Sequence, residues 1–159
     1  TWMTVSADEE VNMPLQPCFL HNTSATSDNE NETGDGTEFT IQFNTQRFDI
    51  GDNTDANGVF TAPITGIYLF LIHLEVVNGS ADHTSDNLVL DTTGGVDPYS
   101  AHHYTTGGND TLGIERMQAS WIIQMTAGWT AAVKFTRGGG TKDTDMRGGS
   151  CWFSGALIA

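Results

Sequence analysis

The sequence predicts an all-β domain, a sandwich or jelly roll of nine or ten short strands. Three observations lead there. Thr- and Gly-rich segments alternate apolar with polar residues over short runs. Gly, Pro, Asn and Asp clusters separate those runs at roughly regular spacing. No window sustains the period of an amphipathic helix. With 159 residues, the chain is one domain, large enough to build a core without staples.

Residues 1–16 are mixed in character and read as an arm leading into a domain over 17–159. Residues 17–21 form a short apolar run, and 22–37 a polar loop. Phe39, Ile41 and Phe43 alternate with polar neighbours, as in a half-buried strand. Residues 49–58 make an acidic turn. A short strand over 59–62 follows, then a Pro–Gly turn and a long strand over 67–77. Residues 87–91 are a strand that ends at a Gly-Gly and Asp-Pro loop, and 99–104 read as another before the Gly107–Gly108 turn. Strands over 117–125 and 130–136 meet at Ala127–Gly128. A glycine-rich charged loop over 138–149 precedes the last strand, 151–158.

The long strand says more. Tyr68, Phe70, Ile72 and Leu74 point one way, and Ile67, Leu69, Leu71 and His73 the other. A sandwich strand with a wet outer face carries polar residues on that second side. Here both faces are apolar, so both are covered. The second cover is a loop, an arm or another subunit, and a subunit is the simplest source. The stretch Trp121–Met125 shows the same two-sided character more weakly.

The net charge of −14 argues against nucleic acid or an anionic membrane as partner, since both need a basic face. No apolar run reaches the length of a membrane helix, because His73 and Glu75 interrupt the best one. The N-terminus is acidic (Asp8, Glu9, Glu10) where a signal peptide would be basic, and it lacks a starting Met. The chain therefore reads as a processed product or an excised domain. The sign of charge is uneven. Residues 1–110 hold seventeen acids and one Arg, whereas 111–159 hold five bases and three acids. Either early and late strands offset one another within one fold, or the 134–147 region meets an acidic surface on a neighbouring subunit.

Asp49, Asp52, Asp55 and Asn57 have the rhythm of a calcium loop, and calcium wants six to eight hard oxygens. The helix-flanked version fails, because Ile64 stands where its bidentate Glu is required. The remaining choices are a site completed by other loops or subunits, or a plain turn of residues that tolerate left-handed backbone angles. His102 and His103 are strand neighbours that face opposite ways, so one chain cannot bring both to one metal. One of them at a threefold axis would make a three-His site. No catalytic constellation emerges, because Ser154 lacks a nucleophile elbow or a base at a recognisable spacing. Asn22, Asn31, Asn78 and Asn109 begin glycosylation sequons, which arise by chance in so Asn- and Thr-rich a chain. Cys18 and Cys151 show no zinc spacing, and two reduced buried thiols are the plain reading.

The stretch GVFTAPITGIYLF resembles the signature of the complement C1q globular-head family through Phe60, Gly66, Tyr68 and Phe70. The ending CWFSGALIA is similar to that family's last strand through Phe153, Ser154, Gly155 and Leu157, and MTAGWTAAVKF matches a strand–turn–strand. Trp129 replaces the usual Asp after that turn, Ile72 replaces an aromatic residue, and no collagen repeat is present. The phrasing of residues 34–49 is similar to bacteriophage and bacterial virion or surface proteins. The resemblance implies a C1q/TNF-like jelly-roll sandwich of about ten antiparallel strands that trimerises about a threefold axis. It implies a homotrimer interface at Leu69, Leu71, His73 and Trp121, and calcium near the apex through Asp49, Asp52, Asp55 and Asn57. It places Cys18 and Cys151 on neighbouring first and last strands, which makes a disulfide an open alternative to free thiols. It further implies a non-enzymatic head of an extracellular or virion structure, such as a tail fibre or spike. That head would bind a cell-surface glycan or protein through loops 49–58 and 92–108. The alternative is a purely structural subunit whose arm docks on a neighbouring subunit.

Overall fold

The computed structural model describes residues 4–5, 11–12, 15–24, 29–78, 82–94, 99–103 and 114–159. Its strands are β1 (Thr4–Val5), β2 (Val11–Asn12), β3 (Cys18–Asn22), β4 (Glu38–Thr40), β5 (Thr45–Ile50), β6 (Phe60–Thr61) and β7 (Gly66–Val77). There follow β8 (Ser85–Thr92), β9 (Tyr99–His103), β10 (Glu115–Met125), β11 (Thr130–Gly138), β12 (Asp145–Met146) and β13 (Trp152–Leu157). One sheet runs β10-β7-β13-β3-β5, with β12 on the end of β7. The other runs β4-β11-β8-β9, with β6 on β11. β1 and β2 pair with each other. Every pairing among the described residues is antiparallel.

The two sheets close on an aromatic core. Phe19 stacks on Phe60 at 5.1 Å and meets Phe153 edge-on at 5.0 Å, and Phe70 stacks on Phe153 at 5.8 Å. Such ring pairs add to the free energy of burial itself. Leu88, Leu90, Val133 and Phe135 supply the facing layer. Gly155 has a packing reason: a Cβ there would lie 2.7 Å from the Phe19 ring and 2.8 Å from that of Phe70. Inside this sandwich Arg137, 1% exposed, holds Asp86 with two bonds of 2.6 and 2.7 Å and also bonds Glu115. Burial works against the guanidinium's charge, but those two carboxylates outweigh it and raise its pKa.

That triad belongs to a wider set of ion pairs between late bases and early acids. Lys134 pairs with Asp91 at 2.8 Å and Glu38 at 3.4 Å, Lys142 with Glu32 at 3.9 Å, and Arg147 with Glu75. Bases of the late strands thus meet acids of the early ones within one chain.

Three elements depart from the sequence-based expectation. β5 lies where no strand is predicted, because its apolar residues Phe48 and Ile50 face outward. Ile41 and Phe43 are buried, but they leave the β4 ladder: their amides bond the carbonyls of Val133 and Asn57. β12 sits inside the glycine-rich segment, held on β7 through Asp145↔Val77 and Met146↔Val76.

Candidate functional site

The outer face of the β10-β7-β13-β3-β5 sheet is apolar and open. On β7, Tyr68, Phe70, Ile72 and Leu74 are buried in the core, and the opposite parity faces out. Register carries that parity across all five strands. One row reads Ile122, Leu69, Ala156, Cys18, Ile50, and the next reads Ser120, Leu71, Ser154, Leu20, Phe48. Ile122 is 67% exposed, Phe48 46% and Leu71 39%. Contiguous apolar surface of this kind marks a contact site rather than a wet sheet face. Toward the other end of the same face the surface turns polar. His73 stacks on Trp152 at 5.8 Å and lies 3.2 Å from the Gln118 amide. Beyond them Arg116 and Arg147 both reach Glu75. Burial pushes the Glu75 carboxyl up, but the Arg147 hydrogen bond and the two arginine charges win and hold it below the ordinary carboxylate range.

Leu69, Leu71 and His73 lie on this face as expected, whereas Trp121 does not. Trp121 packs against the core from the same side of β10 as Met117, Ile123 and Met125. Its neighbour Ile122 is the outward residue, opposite Leu69. The shared parity of 117, 121, 123 and 125 was the signal for this. Leu20, Phe48, Ile50 and Trp152 also belong to the face. Leu20, Phe48 and Ile50 were missed because each sits in a segment too short or too irregular to show its period, and Trp152 because only register puts it beside His73.

The disulfide reading is corrected. β3 and β13 are neighbours, but their register pairs Cys18 with Ala156. Cys151 lies level with Thr23, whose amide bonds its carbonyl at 3.1 Å. Five residues of strand separate the thiols, about 16 Å, far beyond disulfide reach. Both cysteines are free. The Cys151 thiol is bonded to the Glu75 amide and carbonyl, and burial pushes its pKa up to about 11. Partial burial and the nearby Asp49 charge raise that of Cys18.

The acidic residues hold the turn together through their carboxylates. Asp49 Oδ2 accepts from the Thr54 amide at 2.8 Å and hydroxyl at 2.6 Å. Asp55 Oδ1 accepts from the amides of Asn57 and Val59, both at 2.9 Å. Asp52, at φ 54, takes the left-handed corner. One oxygen each of Asp49 and Asp55 thus ties the turn together, while Asp49 Oδ1 is buried with no hydrogen-bond partner among the described residues. Among the described residues no three Asp, Glu, His or Cys side chains converge as a metal site. The turn is also pinned to the core: the Thr54 hydroxyl lies 2.7 Å from His21 Nε2, and His21 Nδ1 lies 2.8 Å from the Phe43 carbonyl.

Its position is a second correction. Ile50 pairs with Cys18, where the arm enters, and Ala159 accepts from the Ile67 amide at 2.6 Å. The acidic turn therefore sits at the arm end, with the C-terminus. Loops 29–37 and 139–150 lie at the opposite end, bridged by Thr33↔Thr144 and by the Asn31 amide on Asp145 at 2.7 Å. Most of the 92–108 loop and the side chains of His102 and His103 lie outside the described residues.

The two antiparallel sheets form a C1q/TNF-like jelly roll. The solved structures it is similar to make the likeness specific. The globular domain of zebrafish complement 1qA matches at TM-score 0.64 and 18% identity, over 91% of this chain and 98% of that one. Murine APRIL matches at 0.60 and 11%, over 90% and 99%. Eiger TNF from S. frugiperda matches at 0.53 and 9%, over 91% and 94%. No protein-family model and no curated protein sequence matches the chain.

Proposed function

We propose that this chain is a non-enzymatic head domain that assembles as a homotrimer, in an extracellular or virion-surface setting. The observation that carries this is the exposed apolar row from Ile122 to Ile50, which a lone chain leaves in water. The fold likeness to a complement globular domain and to TNF-type proteins supports it. Ser154 sits within this face between Leu71 and Leu20. The ligand loops are those at the far end from the arm, 29–37 and 139–150. They present Glu32, Asp35 and Lys142 to a cell-surface glycan or protein. Three weak sites on one trimer act together. Light scattering on a sizing column tests the assembly: three chains of 17.1 kDa give about 51 kDa, with or without a chelator. A 17 kDa species sinks the proposal.

A purely structural subunit is the second reading. It is favoured by the acidic turn, which lies at the arm end and so removes one of the expected ligand loops from the exposed tip. A trimer that retains nothing on a glycan array or from a cell surface selects this reading.

A further inference from the structure

Three of the chain's six Lys and Arg residues gather at the polar end of the open sheet face. Arg116 and Arg147 both bond Oε1 of Glu75, and their side chains stay about half in water, 55% and 51% exposed. Arg47 donates to the Asn22 side chain at 2.9 Å, and Asn22 pairs across the sheet with Trp152. The other three bases are committed elsewhere: Lys134 to Asp91 and Glu38, Lys142 to Glu32, and Arg137 inside the sandwich. The acids beside the arginine pair are few and occupied. Glu115 bonds the buried Arg137, and both oxygens of Asp145 are taken, by the Asn31 amide and the Asn78 side chain. A chain of net charge −14 thus carries a local excess of positive charge here.

A guanidinium offers five N–H donors in a planar fork that fits a carboxylate. Two forks that share one oxygen of Glu75 can take a second carboxylate from the solvent side. Two residues along β7, about 7 Å away, His73 stacks on Trp152 at 5.8 Å. Shallow depressions of about 360 and 340 Å³ flank Trp152. Gln118 and Ser120 line one of them, Asn22 and Ser154 the other. An aromatic ring flanked by amides and hydroxyls suits a sugar, which offers an apolar C–H face and a hydroxyl edge. An extended peptide is less well served. β7, β13 and β3 are interior strands, each paired on both sides, so they offer no open backbone edge to an added strand. A second copy of the chain is drawn instead to the apolar rows nearer the arm, where Ile122 and Phe48 stand exposed.

We propose that the polar end of this sheet face binds a carboxylate-bearing sugar of a cell-surface glycan. The sugar's carboxylate bridges Arg116 and Arg147, its ring lies against Trp152, and the flanking amides and hydroxyls meet its hydroxyl groups. The inference rests on the reading of the chain as a head that binds a glycan, and it names the class of glycan.

The test is titration calorimetry of the intact chain with two acidic probes, a tetramer of galacturonic acid and sialyllactose. Their neutral counterparts are the methyl-esterified tetramer and lactose. At least one acidic probe should bind, and its neutral counterpart should bind far more weakly. Arg116→Gln and Arg147→Gln should each weaken the acidic probe by about tenfold, with the scattering mass and the unfolding midpoint unchanged. Equal binding of acidic and neutral probes overturns the carboxylate site while leaving glycan binding intact. A trimer that binds neither acidic probe overturns the site and leaves the assembly standing. Arginine variants that lose the trimer rather than the sugar assign the pair to the subunit contact and overturn the proposal.

Discussion

Replacing Ile122 with Asp separates assembly from folding. Full burial of an Ile side chain is worth about 1.5–3 kcal/mol. Ile122 keeps 67% of its surface in water in the single chain, so roughly 1–2 kcal/mol per copy is available for association. A carboxylate on that spot adds an unpaired, desolvated charge, which costs several kcal/mol more. Summed over three copies, the penalty is on the order of 10 kcal/mol, enough to dissociate a trimer at micromolar concentration. The isolated fold loses little, about 0.5 kcal/mol, because the residue is exposed. The expected outcome is a 17.1 kDa species by light scattering, with an unfolding midpoint no longer dependent on protein concentration. Trp121→Ala is the contrasting change. It cuts into the inner face and lowers unfolding free energy by about 2–4 kcal/mol, while folded chains still associate. If Ile122→Asp remains trimeric while Trp121→Ala dissociates, the assignment of faces on β10 is wrong.

Three further outcomes follow from the same geometry. A thiol-alkylating reagent should label neither cysteine in the native trimer, Cys18 alone in Ile122→Asp, and both in denaturant, with identical gel mobility with and without reductant. Asp86→Ala should cost about 3–5 kcal/mol in urea unfolding, because it strips the buried Arg137 of its bidentate partner. Glu75 has a folded pKa below its unfolded value. Its stabilisation is therefore full above the unfolded value and lost as pH falls through the folded one. Glu75→Gln should flatten the acid limb of the stability–pH curve, and an unchanged limb would mean that Arg116 and Arg147 do not hold the carboxylate.

The fold was legible wherever a strand was long and its period clean. β7 showed both its faces in sequence order, and β10, β11 and β13 fell close to the predicted spans. The legible part of the site was Leu69, Leu71 and His73, because they share that strand. Its other half was hidden. Phe48 and Ile50 look like loop residues until β3 pairs with β5 through Leu20 and Cys18. Trp121 drew attention by size, but parity, not size, decides which side of a strand a residue serves. The disulfide reading failed for a reason of register. Residue type and neighbouring strands suggest a contact, but register and hydrogen-bond partners decide whether the atoms meet.

By itself the sequence determined the all-β class, the two-sided character of the central strand, and the strongly acidic net charge, since each follows from local alternation and composition. Only the tertiary structure decided which residues share the open face, that the cysteines stand five residues apart on paired strands, and that the acidic turn lies at the arm end. Those facts depend on strand order and register. They are set by the packing of distant segments around the Phe19, Phe70 and Phe153 core, and no local window contains them.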